Sequence, residues 1–154
     1  MYQFNRNFNL QPNHFISNED QDVLLLASLE DCYWVDLRER IDVDISDLFN
    51  IANVVSLLYD PEDECFYVLS NKQCNTVGFF LTKFYANNPG QYRFVTMWRH
   101  LLEVGDATMA LSTNVDSHGA WYKELVVGYK TIYINTYNVV IIDLAKSCDF
   151  KGTL

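Results

Sequence analysis

Leu125 to Leu144 reads LVVGYKTIYINTYNVVIIDL, and this stretch decides the fold class. Val, Ile, Tyr and Thr dominate it, the residues that suit a pleated, half-buried surface. Its centre is polar, so the block reads as strand, turn, strand. Two upstream stretches end in a similar way: Tyr33-Trp34-Val35-Asp36-Leu37 and, more loosely, Phe79-Phe80-Leu81-Thr82-Lys83-Phe84. The chain is therefore expected to be mainly β with antiparallel sheets and one or two helices, with an α+β arrangement as the alternative.

Working outward, Val23–Leu29 and Cys32–Leu37 form a candidate hairpin across the acidic turn Glu30-Asp31. Residues 46–59 read as helix or strand. Ser46 or Asp47 is placed to cap a helix, and the reading adopted is helix over 46–53 followed by a strand over 54–59. Asp60-Pro61-Glu62-Asp63 is a strong turn, because proline presets its own φ. Strands at 64–70 and 77–85 complete a meander. Phe94, Met97, Trp98, Leu101 and Leu102 then recur at helical spacing before Gly105, which predicts a helix over about 91–104. Strands at 107–112, 121–129 and 132–144 follow.

Two domain units result: an Asn-rich aromatic arm over 1–20 and a single β-rich globular domain over 21–154. The architecture expected is sandwich-like, or a curved sheet packed on the 91–104 helix. The endings at 37, 84 and 144 are spaced slightly too widely for regular propeller blades, so a partial propeller is the minor alternative.

Half of the 154 residues are hydrophobic, which supports a packed core and excludes disorder over most of the length. No apolar run approaches the roughly 20 residues that span a bilayer, and the first residues do not read as a secretory signal. Cys32, Cys65, Cys74 and Cys148 form no C-x-x-C pair, and no glycosylation sequon is present. An intracellular setting, cytoplasmic or nuclear, is expected. A Cys65–Cys74 disulfide across a hairpin is the less favoured alternative.

The charge is segregated. From Glu19 to Glu64 there are 14 acidic residues against Arg38 and Arg40, a net of −12, while the whole chain carries −9. A segregated charge creates a field with direction. It disfavours nucleic acid as a partner, since a polyanion needs cations to displace its counterions. Tyr129, Tyr133 and Tyr137 beside Lys123 and Lys130 could stack on bases, but their alternation is also how a sheet face packs.

Other chemistry finds little footing. Asp42-x-Asp44-x-x-Asp47 resembles a calcium loop only in carboxylate density: Asp47 and Asn53 stand where the EF-hand needs Gly and Glu. His14, His100 and His118 are scattered, there is no nucleophile elbow, and all six glycines are isolated. No catalytic residue, metal ligand or cofactor is expected.

The function expected is a non-enzymatic protein–protein interaction domain. Its acidic face, about 30–64, would bind a basic protein surface, with an inhibitor or charge mimic as one version. The residues proposed to carry binding are Asp31, Asp42, Asp44, Asp47, Glu62 and Asp63 for charge, and Tyr33, Trp34 and Tyr59 as aromatic anchors. The alternative is a structural assembly unit, a homodimer or part of a larger β architecture.

Overall fold

The computed structural model describes residues 13–98, 104–131 and 137–144. The chain folds into three antiparallel sheets, each a sequence-contiguous meander. Sheet A joins β1 (His14–Ser17), β2 (Val23–Ala27), β3 (Cys32–Asp36) and β4 (Ile41–Asp44) in that order. A short helix α1 (Ile45–Phe49) leads to sheet B, with β5 (Ile51–Asp60), β6 (Cys65–Gln73), β7 (Thr76–Tyr85) and β8 (Asn88–Trp98). Sheet C follows with β9 (Val104–Val115), β10 (Trp121–Thr131) and β11 (Tyr137–Asp143). The three similar endings seen in the sequence fall on β3, β7 and β11, the third strand of each sheet.

First strands meet: β1 lies against β5, and β5 against β9. Sheet B is the middle layer, and its side-chain alternation serves both neighbours. Phe66, Val68 and Phe84 point toward sheet A and pack with Val23, Leu25, Trp34, Ile45 and Phe49. Tyr67, Leu69, Phe79 and Leu81 point the other way and pack with Leu125, Val127, Tyr129 and Ile142. This explains why Cys65 to Asn71 is buried without a break, whereas sheets with one solvated face alternate.

Several expectations are corrected. Residues 91–98 are strand, not helix: β8 pairs antiparallel with β7, Thr82 opposite Phe94 and Phe79 opposite Trp98. The spacing that reads as helical also contains the period-two set Tyr92, Phe94, Thr96 and Trp98, and pairing with β7 decides between them. Residues 99–103 lie outside the described part, and Gly105, expected just past a helix, is in β9. Pro89 is accommodated because, among the described residues, β8 is the outer strand of its sheet and Pro89 falls in the register shift between Asn88 and Tyr92, opposite no β7 residue.

The 46–59 ambiguity resolves as a shorter helix and a longer strand. Asp44 is the N-cap of α1, its carboxylate accepting from the Asp47 N–H, and Asn50 ends the helix in the left-handed conformation at φ 56°. From the segment read as an arm, His14–Ser17 is an integral strand paired with β2; residues 1–12 are outside the described part. Cys65 and Cys74 stand at opposite ends of β6, about 30 Å apart at ~3.3 Å per residue, and both are free thiols. A disulfide between them is excluded.

The thiols differ in reactivity. Burial pushes the Cys65 thiol up to about 11, and burial with the nearby Asp44 carboxylate raises Cys32 further still. Cys74 is exposed. In a Cys148→Ser background, Cys74 is expected to react with a thiol reagent at pH 8 in the folded protein. Cys32 and Cys65 should react only after denaturant is added. A buried thiol whose pKa is raised favours the folded state while it stays protonated. That contribution is complete below the usual thiol value and is lost as pH rises through about 11 for Cys65. Thermal midpoints should therefore fall steadily above about pH 9. Equal labelling of all three thiols in the folded protein would refute this packing.

Candidate functional site

The hairpin turns β1–β2, β3–β4 and β5–β6, the β7–β8 turn and the β9–β10 loop gather at one end of the molecule. Their sequences explain their shapes. Asn18 Oδ1 accepts from the N–H groups of Asp22 and Val23, both at 3.1 Å. Asp36 Oδ1 accepts from Arg38 and Glu39, Asp60 Oδ1 from Glu62, and Asp116 Oδ1 from His118 and Ala120. Short side-chain oxygens holding turn amides in this way are the usual reason for Asn and Asp at strand ends. Asn18, Asp60 and Asp116 each stand at the end of a first strand. Part of the acidic bias is thus turn chemistry.

Two contacts tie the turns of sheets A and B together. Trp34 Nε1–H donates to the Ala86 carbonyl at 2.7 Å, and Arg38 Nη2 reaches Asn87 Oδ1 at 3.5 Å. Arg38 also pairs with Asp22 at 3.1 Å. Between these turns sits Tyr59, half-buried against Phe66 with ring centroids 5.1 Å apart. Its surroundings are Asn18, Glu19, Asp20, Arg38, Glu64, Ala86 and Asn87. Burial, followed by the Glu19 and Glu64 carboxylates, raises the pKa of the Tyr59 phenol. Glu19, Asp20, Glu39 and Glu64 are exposed around this ring or beside it on the same turns.

A second cluster clamps sheet C onto sheet B. Lys123 of β10 places Nζ 2.8 Å from Asp60 Oδ2, 3.3 Å from Asp63 and 3.4 Å from Glu62. Lys83 adds a contact to Asp63 at 3.7 Å and lies over the Tyr67 ring at 5.6 Å. Burial alone would lower the Lys123 pKa, but its hydrogen bonds to Asp60 and Asp63 outweigh that and raise it. An ammonium held charged is no general base or nucleophile. The cleft beside it, about 360 Å³, is lined by Tyr67, Thr113, Trp121 and Tyr122.

No protein-family model matches this chain, and no curated protein matches it in sequence. Among the described residues, no group of three or more His, Cys, Asp or Glu side chains could hold a metal ion. None of the described helices is long and apolar enough to cross a membrane.

The nine residues named from the sequence are not brought together. Asp31, Asp44 and Asp47 lie at the far end, in the β2–β3 turn and around α1, and Asp42 sits on β4 opposite Val35. Glu62 and Asp63 are at the turn end, engaged with Lys123. Trp34 is 2% exposed and Tyr33 6%, so both belong to the interior and neither is a surface anchor. Their strand is buried along its whole length, a signal carried by the unbroken run Cys32-Tyr33-Trp34-Val35. Tyr59 alone of the three aromatics is partly accessible. Glu19 and Asp20 were missed because they precede the 30–64 segment, although they open the acidic run. Lys123 was missed as a partner of Asp60 because 63 residues separate them and no local pattern links them.

Proposed function

We propose that this chain is a non-enzymatic interaction domain whose acidic turn end binds a basic protein surface. The observation that carries this reading is Tyr59, an aromatic ring half-buried among exposed Glu19, Asp20 and Glu64. A rigid aromatic at the centre of a charged rim is the arrangement that gives interfaces both hot-spot energy and steering. The turn end gains its charge from several strands far apart in sequence, so the acidic face is a different set from residues 30–64. A reducing compartment, cytoplasm or nucleus, belongs to the same reading.

The test is a pull-down with the tagged chain at low and high salt, alongside a variant carrying Glu19→Gln, Asp20→Asn and Glu64→Gln. These side chains are exposed, so the variant should keep its folded circular dichroism spectrum. A basic partner recovered in stoichiometric amount should be lost both at high salt and with the variant, because charge steering is screened beyond about 8–10 Å. A partner retained equally under all three conditions would refute the acidic face.

A second reading, a structural assembly unit, is favoured by a different observation. On β11, Tyr137, Val139 and Ile141 are 80%, 68% and 60% exposed, an apolar row on an edge strand.

A further inference from the structure

We infer that β11 is a self-pairing edge: two copies of this chain join antiparallel across a twofold axis through Val140, making one continuous six-stranded sheet from two copies of sheet C. The inference rests on the assembly reading and names its partner as a second copy. Four observations support it.

Strand β11 is the outer member of the order β11-β10-β9, and among the described residues it pairs with β10 alone. Natural edge strands are blunted by proline, charged side chains (lysine above all), bulges, brevity or a covering segment. Tyr137–Asp143 has no proline or lysine, and its register against β10 is unbroken over seven pairs. Among the described residues its one protecting feature is the Asp143 charge at its end.

The strand is also self-complementary. Antiparallel pairing centred on Val140 sets Val139 opposite the second copy's Ile141, both on the solvated face. All seven residues then find a partner, whereas any shift of register leaves some unpaired. Branched cross-strand pairs of this kind each contribute to sheet stability.

Charge supports the same register. Lys130 is opposite Tyr137 in the β10–β11 pairing, and its ammonium lies 5.6 Å from the centre of that ring. Asp143 stands at the other end of β11, opposite Glu124. The twofold brings Tyr137 opposite the second copy's Asp143, so Lys130 of one copy reaches toward the acidic end of the other. A parallel pairing would place like ends together.

The deletion of residues 1–20, an obvious first test of assembly, is unsuitable, because it removes β1 from sheet A. The informative experiment is solution mass by light scattering over a concentration series, on the full chain and three variants. The wild type should show the mass of two chains at high concentration. Ile141→Lys and Lys130→Glu should each shift it to the mass of one chain, with unchanged circular dichroism. Lys130→Glu combined with Asp143→Lys should restore the dimer, which a general loss of stickiness would not do. An oligomer of any size that ignores the charge exchange would overturn this pairing while leaving the assembly reading standing. A monomer at every concentration would overturn both.

Discussion

Replacing Lys123 by Met is expected to lower the unfolding free energy by about 3 kcal/mol, the low end of what breaking a buried ion pair costs. Asp60 is the reason. Its side chain is only 3% exposed, and one oxygen is already committed to the Glu62 amide, so the other depends on Lys123 at 2.8 Å. Without the ammonium, a carboxylate remains buried between two sheets with nothing to balance it. Asp60→Asn should cost less, since the amide oxygen still serves the turn and Lys123 keeps Glu62 and Asp63. The double variant Asp60→Asn/Lys123→Met should be more stable than Lys123→Met alone. Urea unfolding reads all three, with an unchanged m-value showing that the transition stays comparable. If the Lys123→Met midpoint matched wild type, the cluster would be a solvated surface contact and not a clamp between sheets B and C.

The other large effect is expected at Trp34. Trp34→Ala should cost about 3–5 kcal/mol, the range for removing a buried aromatic, because the indole sits in the core between sheets A and B. Trp34→Phe separates the two contributions. It keeps most of the apolar volume but leaves the Ala86 carbonyl without its indole donor, which should cost about 1–3 kcal/mol. A residue acting as a surface anchor would behave differently, losing affinity with little change in stability. A Trp34→Ala protein with a wild-type midpoint would return this residue to the list of binding candidates.

How much of this was legible in the sequence follows from what is local. Hairpins held by Asp60-Pro61 or flanked by Val and Ile announce themselves, and β5, β6 and β7 of sheet B and the strands of sheet C were found close to their true positions. The likeness among the regions that became β3, β7 and β11 was also visible, since each is an apolar strand ending near a turn. The 91–98 strand was not, because its aromatic spacing satisfies two periods and only the β7 partner chooses between them. The site fared worse for a related reason. Charge segregation can be counted along the chain, but hairpin topology sends alternate turns to opposite ends. Residues adjacent in the acidic run are therefore separated in space, and Asp31 and Glu62 end up far apart. Burial had the same consequence for Trp34: an aromatic within the acidic segment looks like an anchor until the strand is seen to be covered.

The adjoining first strands have a kinetic meaning as well. Every sheet is built from neighbouring chain segments, and among the described residues each core is shared between consecutive sheets. Each hairpin closes over a short turn before the longer-range contacts between sheets are made, so the molecule can be assembled in chain order. Sheet B, apolar on both faces, is the element that gains least by forming alone and most by having sheet A already in place. Order of synthesis and order of packing thus run in the same direction.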